Sequence, residues 1–113
     1  MATIRKMVQE IQVEVRDAPD LLPGRACEIL NQLTSLLGNI NDELRVAELE
    51  YKRILLAALY ANKAANRARI EAETTPQYVR RQEAAHLKEL AVEMIRSLKI
   101  TIKSKEEEMR LAR

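Results

Sequence analysis

From Ile40 to Ala72 the apolar residues recur in alternating steps of three and four. The series is Ile40, Leu44, Ala47, Tyr51, Ile54, Ala58, Ala61, Ala65, Ala68 and Ala72. Such a heptad seam is satisfied by a helix lying along another helix and by little else. Its character changes along its length, from large side chains before Ala58 to alanine alone beyond it, so a partner helix can approach more closely at the far end. Composition agrees with a helical chain. Two Gly, three Pro, three Tyr and neither Phe nor Trp among 113 residues are poor material for sheets and tight turns. The expected fold class is all-α in a single domain, with 47% apolar residues for the seams and 32% charged residues for the solvated faces.

Proline and glycine divide the chain. Ala18-Pro19 stops a first helix, because a residue before proline is pushed out of the helical region. Upstream of it Ile4, Met7, Val8, Ile11 and Val15 share one face, with Thr3 placed to cap, which predicts helix 1 over 3–17. After a turn from Asp20 to Gly24, Pro23 suits a first helical turn, and Ala26, Leu30, Leu33 and Leu37 form a stripe before Gly38-Asn39. Helix 2 is expected over 23–37. Helix 3 then carries the seam over 40–73. Thr74-Thr75-Pro76 supplies an N-cap and a proline at the first position of helix 4, expected over 76–111 with Ala84, Leu87, Ala91, Met94, Leu98 and Ile102 on its seam. The stretch Leu98 to Lys103 alternates like a strand, but its flanks are helical and no strand partner exists elsewhere.

A connection of about two residues folds helices 3 and 4 into an antiparallel hairpin. The seams then match if paired residue numbers sum to about 150, so that Tyr51 meets Leu98, Ala58 meets Ala91 and Ala47 meets Ile102. Each arm is on the order of 50 Å long. The two shorter N-terminal helices pack on the open end and cannot cover the hairpin throughout.

A net charge of +2 conceals an uneven distribution: residues 1–50 carry 5 Lys/Arg against 9 Asp/Glu, and residues 51–113 carry 14 against 8. The hairpin places Arg67, Arg69, Arg80 and Arg81 at its tip, with Lys63 and Lys88 at the same level and Tyr78 beside them. Clustered guanidinium groups can contact several phosphates and a tyrosine can stack on a base, so the tip is a candidate for nucleic acid or an acidic protein partner. The ordinary reading is a solvated helix end whose arginines pair with nearby glutamates or with acidic helix 1 of a neighbouring subunit. A second basic row, Arg96, Lys99, Lys103 and Lys105, reads as a salt-bridged face, with Lys103 near Glu107 and Lys99 near Glu48 and Glu50.

Chemistry-bearing motifs are sparse. Glu83-Ala84-Ala85-His86 has the Glu-x-x-His spacing of di-iron bundles, but the facing levels hold no carboxylate, and a lone His86 hydrogen-bonded to Asn62 or Asn66 is the ordinary reading. With one His, one Cys and no glycine-rich loop, there is no nucleophile with an evident base and no phosphate cradle, so neither enzyme activity nor a cofactor or metal is expected. Cys27 cannot form an intramolecular disulfide and reads as a small core residue of a protein in a reducing compartment. The longest apolar run, Ile54 to Ala61, falls far short of a membrane span, and no signal peptide is recognisable at the N-terminus.

That same run is apolar around the whole helix. Leu55 and Leu59 lie beside the seam, Leu56 lies on another side with Leu49, and Leu90 and Ile95 extend the surplus on helix 4. A homodimer or higher oligomer is the simplest way to bury it.

Glu50-Tyr51-Lys52, the Ala/Arg/Glu rhythm from Lys63 to Glu73 and Met94-Ile95-Arg96-Ser97-Leu98-Lys99 resemble small all-helical accessory proteins encoded by phages and prophages, often near replication and recombination genes. The likeness covers residues 40–113. It implies a protein of the bacterial host cytoplasm and assigns no site. Three functions follow as expectations: an interaction or assembly protein with a macromolecular partner, a nucleic-acid-binding accessory factor using the basic tip, and a counter-defence protein that inhibits a host immune factor.

Overall fold

The computed structural model describes residues 2–17, 21–62 and 64–112. Four helices account for nearly all of them: α1 (Ala2–Asp17), α2 (Pro23–Ala61), α3 (Ala65–Glu73) and α4 (Pro76–Leu111). The molecule is all-α, and its two long helices, α2 and α4, pack antiparallel. Its extents are 71 × 23 × 20 Å, a rod two or three helices across.

Two expected boundaries move, and the hairpin moves with them. Gly38-Asn39 does not end a helix: α2 runs through it, and no described residue has the positive φ of a glycine stop. The physical reason lies on either side. Leu33, Leu36, Ile40 and Ala47 are buried on one continuous face of α2, and keeping them in register outweighs the ~1 kcal/mol that a helical glycine costs. The helix ends instead at Asn62, within an alanine-rich stretch that contains neither Gly nor Pro. Asn62 leaves the helix in extended backbone geometry while its Nδ2 donates to the Ala58 carbonyl at 2.9 Å and to Glu71 Oε2 at 2.8 Å. The side-chain amide thus ties the end of α2 to α3, which folds back along it with Ala68 and Ala72 fully buried.

Thr74-Thr75-Pro76 is a boundary as expected. Thr75 Oγ1 accepts from the Tyr78 N–H at 3.4 Å and Pro76 opens α4. It is a bend between α3 and α4, however, not the hairpin tip. Since the chain reverses near residue 62, Tyr51 meets Tyr78 and not Leu98, a displacement of about five and a half helical turns from the expected pairing. At the opposite end Lys105 Nζ donates to the Leu21 carbonyl. Residues 106–111 of α4 are exposed throughout.

Of the remaining expectations, α1 starts at Ala2, so Thr3 lies inside its first turn and does not cap it. The stop at Ala18-Pro19 and the start of the following turn at Asp20 lie outside the described residues. Leu98 to Lys103 is helical within α4.

The large buried side chains gather at one end. Val8 and Ile11 of α1, Ile29, Leu33, Leu36 and Ile40 of α2, and Leu87 and Leu98 of α4 form one cluster, a three-helix base. Arg25 fastens α1 to α2 through two hydrogen bonds to Glu14, at 2.8 and 2.9 Å, and Arg5 reaches Glu83 of α4 at 2.6 Å. Beyond the base, α2 continues for about 30 Å with α4 and then α3 beside it. The buried residues of this two-helix arm are Ala47, Tyr51, Ala68, Ala72 and Ala84.

Candidate interaction surfaces

The expected basic tip is divided by the new register. Arg67 and Arg69 lie on α3 near the end of the arm, exposed and without an ion pair among the described residues. Lys63 lies outside the described residues. Arg80 belongs to the middle of the arm, where it crosses to α2 and bridges Glu50 at 3.0 Å and Glu43 at 3.1 Å. The hydrogen bond to Glu43, reinforced by the charge of Glu50, holds the Arg80 guanidinium above its ordinary pKa, so it is a structural cation with its charge already answered. Arg81 lies over the Tyr51 ring at 5.1 Å from the centroid, and Tyr78 packs on the same ring at 5.3 Å. These four side chains form a lateral brace between α2 and α4, and Tyr78 is not free to stack on a base. Lys88 lies farther down α4, past the brace and exposed.

The second basic row is likewise redistributed. Arg96 pairs with Glu93 at 3.0 Å, Glu107 pairs with Arg110 rather than Lys103, and Glu50 is held by Arg80 and not by Lys99. His86 is exposed on α4, whereas Asn62 is occupied by Ala58 and Glu71. Cys27 is exposed on α2, not in the core, because Ala26 and Ile29 take the inward positions. Among the described residues no three His, Cys, Asp or Glu side chains converge as a metal site would require. Nor is any described helix long and apolar enough to cross a membrane.

Exposed large apolar side chains occur on all four helices, with the most on α2. Leu90 and Ile95 pack against the base cluster and Leu55 is half-buried, whereas Leu56 and Leu59 are exposed. Together with Val46 at 44% exposure, Leu49 at 51%, Leu56 at 54% and Tyr60 at 85% form a row on the outer side of α2, turned away from Ala47 and Tyr51. Val46 and Tyr60 escape a reading that follows only the inner seam. Their signal is a second set of three- and four-residue steps on the other face of the same helix.

At the base, α1 and α2 leave an open groove of about 870 Å³ between them. Ile11 and Leu36 form its floor, half-exposed Met7 and Val13 one wall, and Ser35 and Asn39 of α2 the other. At one end of it, the hydrogen bonds from Arg25 keep the Glu14 carboxyl below the usual carboxylate range.

No family model, curated protein or solved structure matches the chain.

Proposed function

We propose that this protein is a non-enzymatic interaction or assembly module that acts by docking the outer face of α2 onto a macromolecular partner. The observation that carries this reading is the row Val46, Leu49, Leu56 and Tyr60, large apolar side chains left in water on a rigid helix. Surface area supports it. A compact protein of 13.0 kDa exposes roughly 6,300 Å², whereas this chain exposes 8076 Å². The excess is larger than the ~800 Å² that one partner contributes to a standard protein interface.

Affinity capture from a bacterial lysate tests the reading, with the native chain compared with a Leu49→Asp/Leu56→Asp variant. Partners retained by the native chain and lost by the variant support docking through α2. An identical captured set with both chains, together with no self-association through this face, overturns it. Exposed Arg67 and Arg69 favour a second reading, nucleic-acid binding at the end of the arm. That reading requires a mobility shift that weakens as salt rises and is lost in Arg67→Ala/Arg69→Ala.

A further inference from the structure

The exposed row on α2 is part of a longer pattern. Steps of four and three run from Ser35 through Asn39, Asp42, Val46, Leu49, Arg53 and Leu56 to Tyr60, and every one of these positions is exposed. α2 therefore carries two heptad seams, one turned to α4 and one to solvent. The outer seam is ordered by size and charge. Its first two positions are small and polar, its last two are large and apolar, and an acid and a base flank the central Val46 and Leu49.

We propose that α2 pairs antiparallel with α2 of a second copy of this chain along the outer seam, in the register that sets Asp42 against Arg53. Two-fold symmetry repeats every contact. Val46 faces Leu49 at the centre, each Asp42 meets an Arg53 on either side of it, and beyond them Leu56 covers Asn39 and Tyr60 covers Ser35. Charge and size thus agree in one register. Sliding the second copy by one heptad sets Arg53 against Leu49 or Ser35 and Asp42 against Tyr60 or Val46, which strands both charges. Arg53 has no ion pair among the described residues, and Asp42 has only Arg45 at 3.7 Å on an exposed turn.

The groove at the base supplies the second argument. Ser35 and Asn39 form its α2 wall, so the pairing that brings Leu56 and Tyr60 of the second copy over them also lays that arm beside Met7 and Ile11 of α1. Each three-helix base gains a fourth helix from the other copy's arm, and each arm gains the cover it lacks. α4 meets α2 through Tyr51 on the face opposite the outer seam, and its Arg80 bridges to Glu43 and Glu50 flank that seam on one side. The rim brings Arg45 near Lys52 of the second copy, a like-charge contact that salt screens.

This inference rests on the reading of the outer α2 face as a docking surface and names its occupant. The test is the molar mass of the full chain by light scattering across a wide concentration range, with helical content followed by circular dichroism. The native chain is expected to reach twice its monomer mass. Asp42→Arg and Arg53→Glu, both at exposed positions, should each weaken the dimer by about tenfold or more, and the double variant should regain the native affinity with the charges exchanged. A dimer indifferent to these charges, or a double variant as weak as the singles, overturns the register. A chain that stays monomeric overturns self-pairing and leaves lysate capture through Leu49 and Leu56 as a separate result; the docking reading itself falls only if the Leu49→Asp/Leu56→Asp variant also captures the same set as the native chain.

Discussion

The base and the arm are built from the same two long helices and held together by different forces. In the base, Ile29, Leu33 and Ile40 of α2 are fully buried against α1 and α4. Each contributes about 1.5–3 kcal/mol by leaving water. In the arm, the fully buried positions are alanines, whose methyl groups contribute well under half as much apiece. Side-to-side contacts compensate there: the Arg80 bridge to Glu43 and Glu50, the Tyr51, Tyr78 and Arg81 stack, and the Asn62 link to Glu71. Val46, Leu49, Leu56, Leu59 and Tyr60 of the arm are exposed. The base holds the fold, and the arm is a thin projection whose inner face is minimal and whose outer face is rich.

Four changes break or sharpen that contrast. Leu33→Ala removes a fully buried side chain from the base and should cost about 3 kcal/mol of global stability, read from urea unfolding. Ala68→Leu instead forces a large side chain between α3 and α2 and should cost about 1–3 kcal/mol locally. Hydrogen exchange is the measurement that separates the two: amides of 65–73 should lose protection while those of the base keep theirs. Gly38→Ala, where base becomes arm, should stabilise the chain by about 0.5–1 kcal/mol, because an added methyl meets nothing within 4 Å on an exposed helical face. A loss of stability there would show that α2 bends at Gly38. The smallest effect concerns pH. Arg25 lowers the pKa of Glu14 in the folded chain, so the stabilisation this brings is present above the unfolded value of about 4.3 and disappears as pH falls through the lower folded value. Glu14→Gln should remove that part of the acid sensitivity of α1 docking and leave the acid response of the arm unchanged.

Periodicity made most of the elements and their inward faces legible. Ile40, Ala47, Tyr51, Ala68 and Ala72 are buried as the seam predicts, as are Ala84, Leu87, Ala91 and Leu98 on α4, whereas Ala61 and Ala65, on either side of the reversal at Asn62, are exposed. Thr75-Pro76 was recognisable because its capping chemistry is local. Register was not legible, since seams of equal period match at many offsets and the choice depends on where the chain reverses. That reversal rests on Asn62, whose signal is a side-chain amide shared between residues nine apart, in a stretch where propensity alone favours continuous helix. The candidate site depends on the same register. Arg80, Arg81 and Tyr78 looked like a free basic tip and are instead a brace in mid-arm, because their partners Glu43, Glu50 and Tyr51 come to that level only in the actual register. The groove at the base depends on how α1 docks, which no spacing along one helix encodes.

The 71 Å length of the molecule has a hydrodynamic consequence. Its radius of gyration is 19.5 Å, whereas a compact chain of this length would have about 13 Å, and a compact chain of roughly 300 residues would be needed to match it. A single copy will therefore tumble and diffuse like a much larger sphere and elute early from a sizing column. Elution position would make even a single copy look like an oligomer, and only methods that weigh the particle, such as scattering or sedimentation equilibrium, can count its copies.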